Sequence, residues 1–180
     1  MVKEASSELV TVNIAFLEQA LALVHRLDDA AYCTSPPGFE PYRVGSHMRH
    51  LLEFYECFQS GLADSQIDYD ARTRDESIER DRHAAARRIS SIMDQVQRSS
   101  FLPYDRAVSV RVENSDAGVY LASSIGRELQ ALSSHTVHHF ALIAVTLRLH
   151  GIAVDPDFGM SRSTLRHQAT KAQRTGKEST

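Results

Sequence analysis

The sequence predicts an all-α fold, an up-and-down four-helix bundle with a short β-hairpin between the third and fourth helices. Two observations carry this expectation. Apolar residues recur at three- and four-residue steps through four long stretches, as they do in helices with one buried face. Between the third and fourth stretches the period drops to two at Val108, Val110 and Val112, and ENSDAG supplies turn chemistry before VYLAS.

The first stretch predicts a helix over 6–31, with Leu9, Val12, Phe16, Ala20, Leu23, Val24 and Leu27 on one face. It stops before CTSPPGFEP, where Pro36, Pro37 and Pro41 cannot continue a helix. The second covers 45–62 on His47, Leu51, Phe54, Phe58 and Leu62, and the third 75–98 on Ile78, Ala85, Ile89, Ile92, Met93 and Val96. Charged residues fill the rest of the third, which reads as a solvated face. The fourth starts with Ser123 or Ser124 as N-cap and runs to His150, with Gly151 suited to the C′ position. Its stripe is Ile125, Leu129, Leu132, Thr136, His139, Ile143 and Leu147.

A chain of 180 residues fits one domain, set at 1–165, with a polar tail at 166–180 expected to be disordered. Lys and Arg total 20 against 23 Asp and Glu, a formal net charge of -3, so composition suggests no nucleic acid or anionic membrane as partner. The N-terminal MVKEASSELV mixes charges, and no apolar run approaches the roughly 20 residues that span a bilayer, which together predict a cytoplasmic protein. Cys33 and Cys57 are then expected as thiols.

The chemistry gathers in the histidines. Five of nine fall in two groups, HMRH at 47–50 and HTVHH at 135–139. His135 and His139 lie one helical turn apart beside the apolar stripe and can share one ion, whereas His138 points outward. Two core histidines satisfied by hydrogen bonds would explain that pair equally well. A third imidazole from the second helix would complete three ligands and leave a position open for water or substrate. Periodicity favours His47, in register with Leu51 and Phe58, over His50 on the flank, and both stay candidates.

RHLLEFYECF, followed some eighty residues later by HTVHHFALIA, resembles the DinB-like superfamily of metal-binding four-helix bundles over most of the chain. Three further segments, IDYDARTRDESIE, GRELQALSSHTVHH and DFGMSRSTLRH, resemble an uncharacterised subgroup of it. The resemblance implies a helix-two histidine followed by Leu and, two residues later, an acidic residue, which selects His50 before Leu51 and Glu53. It implies His135 and His139 as the other metal ligands and leaves His47 as the rival or an outer partner. It further implies one divalent metal ion (Zn, Ni or Fe), a small-molecule substrate or low-molecular-weight thiol, and a homodimer. Tyr42 stands where that superfamily often carries Trp.

Two functions follow as expectations. One is a metal-dependent enzyme that activates a thiol or water, of the small-thiol S-transferase or hydrolase type; the other is a non-catalytic, stress-related metal- or ligand-binding bundle protein. Glu128, about two turns before His135, is a candidate to orient a ligand histidine or take a proton, against the blander role of pairing with a buried Arg. Tyr55 reads as core. Asp70, Arg72, Arg74 and Asp75 read as a solvated ion-pair loop, with gating of the pocket or binding of an anionic cofactor as the alternative.

Overall fold

A computed structural model describes residues 2–40, 42–113 and 116–177. Pro41, the Asn114–Ser115 step of the expected turn and the end of the expected tail at 178–180 lie outside them. Among the described residues the order is α1 (Val2–Arg26), α2 (Asp29–Cys33), α3 (Val44–Gly61), β1 (Gln66–Ile67), α4 (Glu76–Arg80), α5 (Arg82–Arg98), β2 (Ala107–Arg111), β3 (Tyr120–Ser124), α6 (Ile125–Leu149) and α7 (Arg162–Lys177), with a 3₁₀ turn at Ser99–Phe101.

This corrects the expected all-α four-helix bundle. Among the described residues there are seven α-helices, and the strands form a mixed three-stranded sheet in the order β1-β2-β3. Two of the extra helices come from aspartates that restart the backbone. Asp28 is extended and accepts from the Ala31 N–H at 2.8 Å, splitting the expected 6–31 helix into α1 and α2. Asp81 does the same with the His83 N–H, at 2.8 Å, splitting 75–98 into α4 and α5. Each side-chain carboxylate satisfies an N–H that the helix start leaves orphaned. β1 pairs parallel to β2 with Gln66 beside Ser109, and β2 pairs antiparallel to β3 with Ala107 beside Ser124. α7 covers most of the expected tail with exposed side chains over 166–171.

α6 ends in a Schellman motif. The Ile152 N–H reaches the Leu147 carbonyl and the Gly151 N–H the Arg148 carbonyl, both at 2.9 Å, with Gly151 at φ +73. Behind it the chain folds back, and Phe158 stacks on Phe140 at 4.4 Å between ring centroids.

α1 lies along α5 and α6, and α3 along α6, α5 and α4. Leu17, Tyr32, Leu51, Phe58, Ile89 and Phe140 are among the buried side chains between them. Each such burial contributes about 1.5–3 kcal/mol. The 19 residues Glu8–Arg26 of α1 are long and apolar enough to cross a membrane by length and composition, contrary to the sequence expectation; Val10, Leu17, Ala20 and Val24 nevertheless face the protein core.

One polar network crosses that core. The Tyr55 hydroxyl donates to Asn13 Oδ1 at 2.8 Å and lies 3.0 Å from the Thr136 hydroxyl, while Asn13 Nδ2 donates to the Leu129 and Leu9 carbonyls. It ties α1, α3 and α6 at a fixed register. Tyr55→Phe removes the hydroxyl and leaves buried acceptors short of a donor, so urea unfolding should show a loss of about 1–3 kcal/mol at unchanged helix content.

Candidate metal centre

α3 and α6 run side by side, and their histidines meet at the contact. His50 on α3 and His135 and His139 on α6 are the three residues whose ligand nitrogens all lie within 4.8 Å of one another. His135 Nε2 stands 3.2 Å from His50 Nε2 and 3.1 Å from His139 Nε2. Imidazole nitrogens sharing one tetrahedral Zn²⁺ at its usual bond length lie about 3.3 Å apart, so the spacing fits an ion.

The hydrogen-bond alternative does not satisfy these contacts. A neutral imidazole has one N–H and one lone pair. With a proton on Nε2, His135 can donate fully to only one of its two neighbours; without it, one lone pair must serve two donors. A cation accepts all three lone pairs together. The tautomer that turns these lone pairs inward places a proton on each Nδ1. For His139 that N–H meets His47 Nδ1 at 3.3 Å, whereas His135 Nδ1 and His47 Nε2 are buried without a partner among the described residues.

Electrostatics favour the neutral form. Burial, followed by the Arg72 charge, pushes His50 down to about 4. Burial, followed by His50, pushes His135 down to about 4, and burial with the two neighbouring ligand rings takes His139 to about 2. At neutral pH all three offer lone pairs without first losing a proton.

His47 thus lies behind His139, on the far nitrogen of its ring, and Tyr42 stacks on it with centroids 6.2 Å apart. His138 is exposed and meets only the edge of His139. Glu128 is buried but touches none of the histidines: Tyr69 donates to it at 2.9 Å and Ser123 donates to its other oxygen, where sequence reasoning expects an Arg. Its link to the site is relayed, because Tyr69 stacks on Phe54 at 5.0 Å and Phe54 stacks on His135 at 3.9 Å. Glu53 is no ligand in this arrangement. It accepts from the Asp75 N–H at 2.8 Å and the Thr73 hydroxyl at 3.4 Å, clamping loop 68–75 to α3.

Sequence reasoning misses the aromatic and cationic rim. Phe54 reads as stripe, Tyr69 goes unremarked within IDYD, and Arg72 reads as part of a solvated loop. The loop does form ion pairs, Asp68 with Arg111 at 3.0 Å and Asp75 with Arg88 at 3.1 Å. Arg72 instead lies over the Phe54 ring, 5.0 Å from its centroid. The one available signal is Tyr69, an aromatic placed directly before the charged run 70–75.

No family model matches the sequence. Over 105 residues, 56% of the chain, it is 38% identical to a protein of Rhizopus delemar named FK506-binding protein 5, and the match spans 27% of that protein. This likeness overturns the expected resemblance to the DinB-like superfamily. The metal-dependent thiol S-transferase or hydrolase inferred from that resemblance falls with it, as does the stress-related bundle protein offered as its alternative. The physical reason is that a His pair one turn apart, plus a third from a packed helix, is a local pattern that unrelated helical folds can present.

Proposed function

We propose that His50, His135 and His139 of this chain hold one divalent cation. The observation that carries the reading is the gathering of three imidazoles whose ligand nitrogens all lie within 4.8 Å of one another, with His135 Nε2 in contact with the Nε2 of both others. Imidazole ligands suit Zn²⁺, Ni²⁺ and Fe²⁺ in kind, and three of them leave a further coordination position free. Calorimetric titration of the metal-free chain with Zn²⁺ tests it. One ion per chain is expected, with a rise in melting temperature that grows with free metal. A titration without saturable heat at neutral pH defeats the reading and leaves three core histidines.

A second reading follows from the likeness alone. FK506 binding is a property that the printed name gives to a relative of which this chain spans about a quarter. Titrating FK506 into the chain decides it: saturation at one per chain supports the reading, and a flat titration attributes the property to the rest of the relative.

A further inference from the structure

The sheet has two unlike edges. β1 is two residues long and its Ile67 is fully buried, whereas β3 is five residues long and has only β2 beside it. The ladder decides which groups of β3 point away from the sheet. Val112 N–H reaches the Val119 carbonyl at 2.8 Å and Ile125 N–H the Arg106 carbonyl at 3.1 Å, while Val110 stands beside Leu121 and Val108 beside Ser123. Hydrogen-bonded and non-bonded pairs alternate along an antiparallel ladder, so residues 119, 121 and 123 turn their N–H and C=O toward β2, and Tyr120 and Ala122 turn theirs outward. These outward groups have no partner among the described residues. Soluble proteins guard such an edge with charge, proline or a covering element, and 119–124, VYLASS, has neither charge nor proline. Leu121 is 60% exposed and Val119 46%, and their spacing of two puts both on one face.

We propose that this edge docks β3 of a second copy of the chain, the two strands running antiparallel about a two-fold axis at Leu121 and joining the two sheets into one of six strands. The edge is complementary to itself in three respects. With the axis at Leu121, Tyr120 of each copy faces Ala122 of the other, and each pair exchanges two hydrogen bonds, so every outward N–H and C=O of both residues finds a partner. An axis at Ala122 would instead set Tyr120 against Ser124, whose carbonyl already serves the first turn of α6 as its N-cap. Leu121 meets Leu121 of the second copy in a non-bonded pair, where side chains approach most closely, with Val119 of each copy on the same face. No charge of 119–124 is brought against a like charge, since the segment has none. The contact is small, a few backbone bonds and four apolar side chains, so the dimer is expected to dissociate in the micromolar range.

Sedimentation equilibrium of the full chain in reductant, across the micromolar range, tests the association. The native chain should fit a monomer–dimer equilibrium. Leu121→Lys removes both leucines from the contact and sets two ammonium groups opposite each other, so the dissociation constant should rise about a hundredfold or more. Its urea midpoint at a dilution where both chains are monomeric should match the native one, because the side chain is exposed in the single chain. A second pair of variants tests the register. Leu121→Cys should give a dimer linked 121 to 121 on mild oxidation, mapped by peptide mass spectrometry, since a non-bonded pair brings the two positions within disulfide reach. Ala122→Cys, which faces Tyr120 of the other copy on the opposite side of the sheet, should not. A native chain monomeric throughout overturns the proposal and leaves the edge to a strand of another protein. A dimer unaffected by Leu121→Lys overturns it too, as does cross-linking through position 122 in preference to 121.

Discussion

His139→Ala is expected to abolish stoichiometric metal binding, with affinity falling at least about a hundredfold by competition against a chromophoric chelator. Outer partners of metal ligands are alone worth about ten- to a hundredfold, and a lost ligand exceeds that. His47→Ala should therefore cost less than His139→Ala, since His47 meets only the far nitrogen of the His139 ring. If His47→Ala and His139→Ala weaken binding equally, His47 is a ligand and the ring assignments change. pH supplies a second readout. His50, His135 and His139 are all held below the usual 6.5 by burial, two at about 4 and one at about 2. Below pH 6.5 the unfolded chain takes up protons that the folded one refuses, so the metal-free protein loses stability as pH falls from about 6.5 toward 4, and is unaffected by these groups above 6.5. His139→Ala removes one of the three and should flatten that fall between pH 7 and pH 5 in urea unfolding. A native chain equally stable at both values, with no flattening in the variant, would contradict the burial of neutral imidazoles.

Gly45→Ala should destabilise the fold by about 3 kcal/mol or more. An added Cβ would lie 2.2 Å from the Glu79 carbonyl oxygen, 2.9 Å from its carbonyl carbon and 3.0 Å from its Cα. These are backbone atoms of α4, which cannot rotate aside as a side chain would. Glu79 also anchors α4 to α3 through an ion pair with Arg49 at 2.8 Å, so forcing the helices apart strains that pair as well. The same first turns of α3 carry His47 and His50, and metal affinity should fall along with the urea midpoint. Gly151→Ala, at φ +73 with open space around it, should cost only about 1 kcal/mol. An unchanged midpoint in Gly45→Ala would refute the close packing of α3 on α4.

Much of the local structure was legible because helical periodicity and capping act over a few residues. The α6 stripe from Ile125 to Leu147 is buried at every named position, Ser124 caps the helix, and Gly151 closes it. The breaks at Asp28 and Asp81 were legible in principle, since Asp is a strong N-cap, but an aspartate inside an apolar-periodic stretch is also an ordinary solvent-facing residue. β1 had no sequence signal: two residues carry no period, and their pairing depends on β2, some forty positions away. The family resemblance failed for the opposite reason, because short motifs carry local geometry without the rest of the fold.

The sequence by itself determined the four long helical stretches, which face of each is apolar, and that His135 and His139 share a face, since a turn of 3.6 residues settles these, while α7 carried no such apolar stripe to announce it. Only the tertiary structure decided that His50 reaches the Nε2 side of that pair while His47 meets the far nitrogen of His139. The two lie three residues apart on α3, near enough in azimuth for either to serve, and the choice depends on how α3 is rotated about its axis against α6. The same holds for Asn13 in the core, Glu128 on Tyr69 and Ser123, and Arg72 on Phe54: each depends on a partner distant in the chain, which no local period encodes.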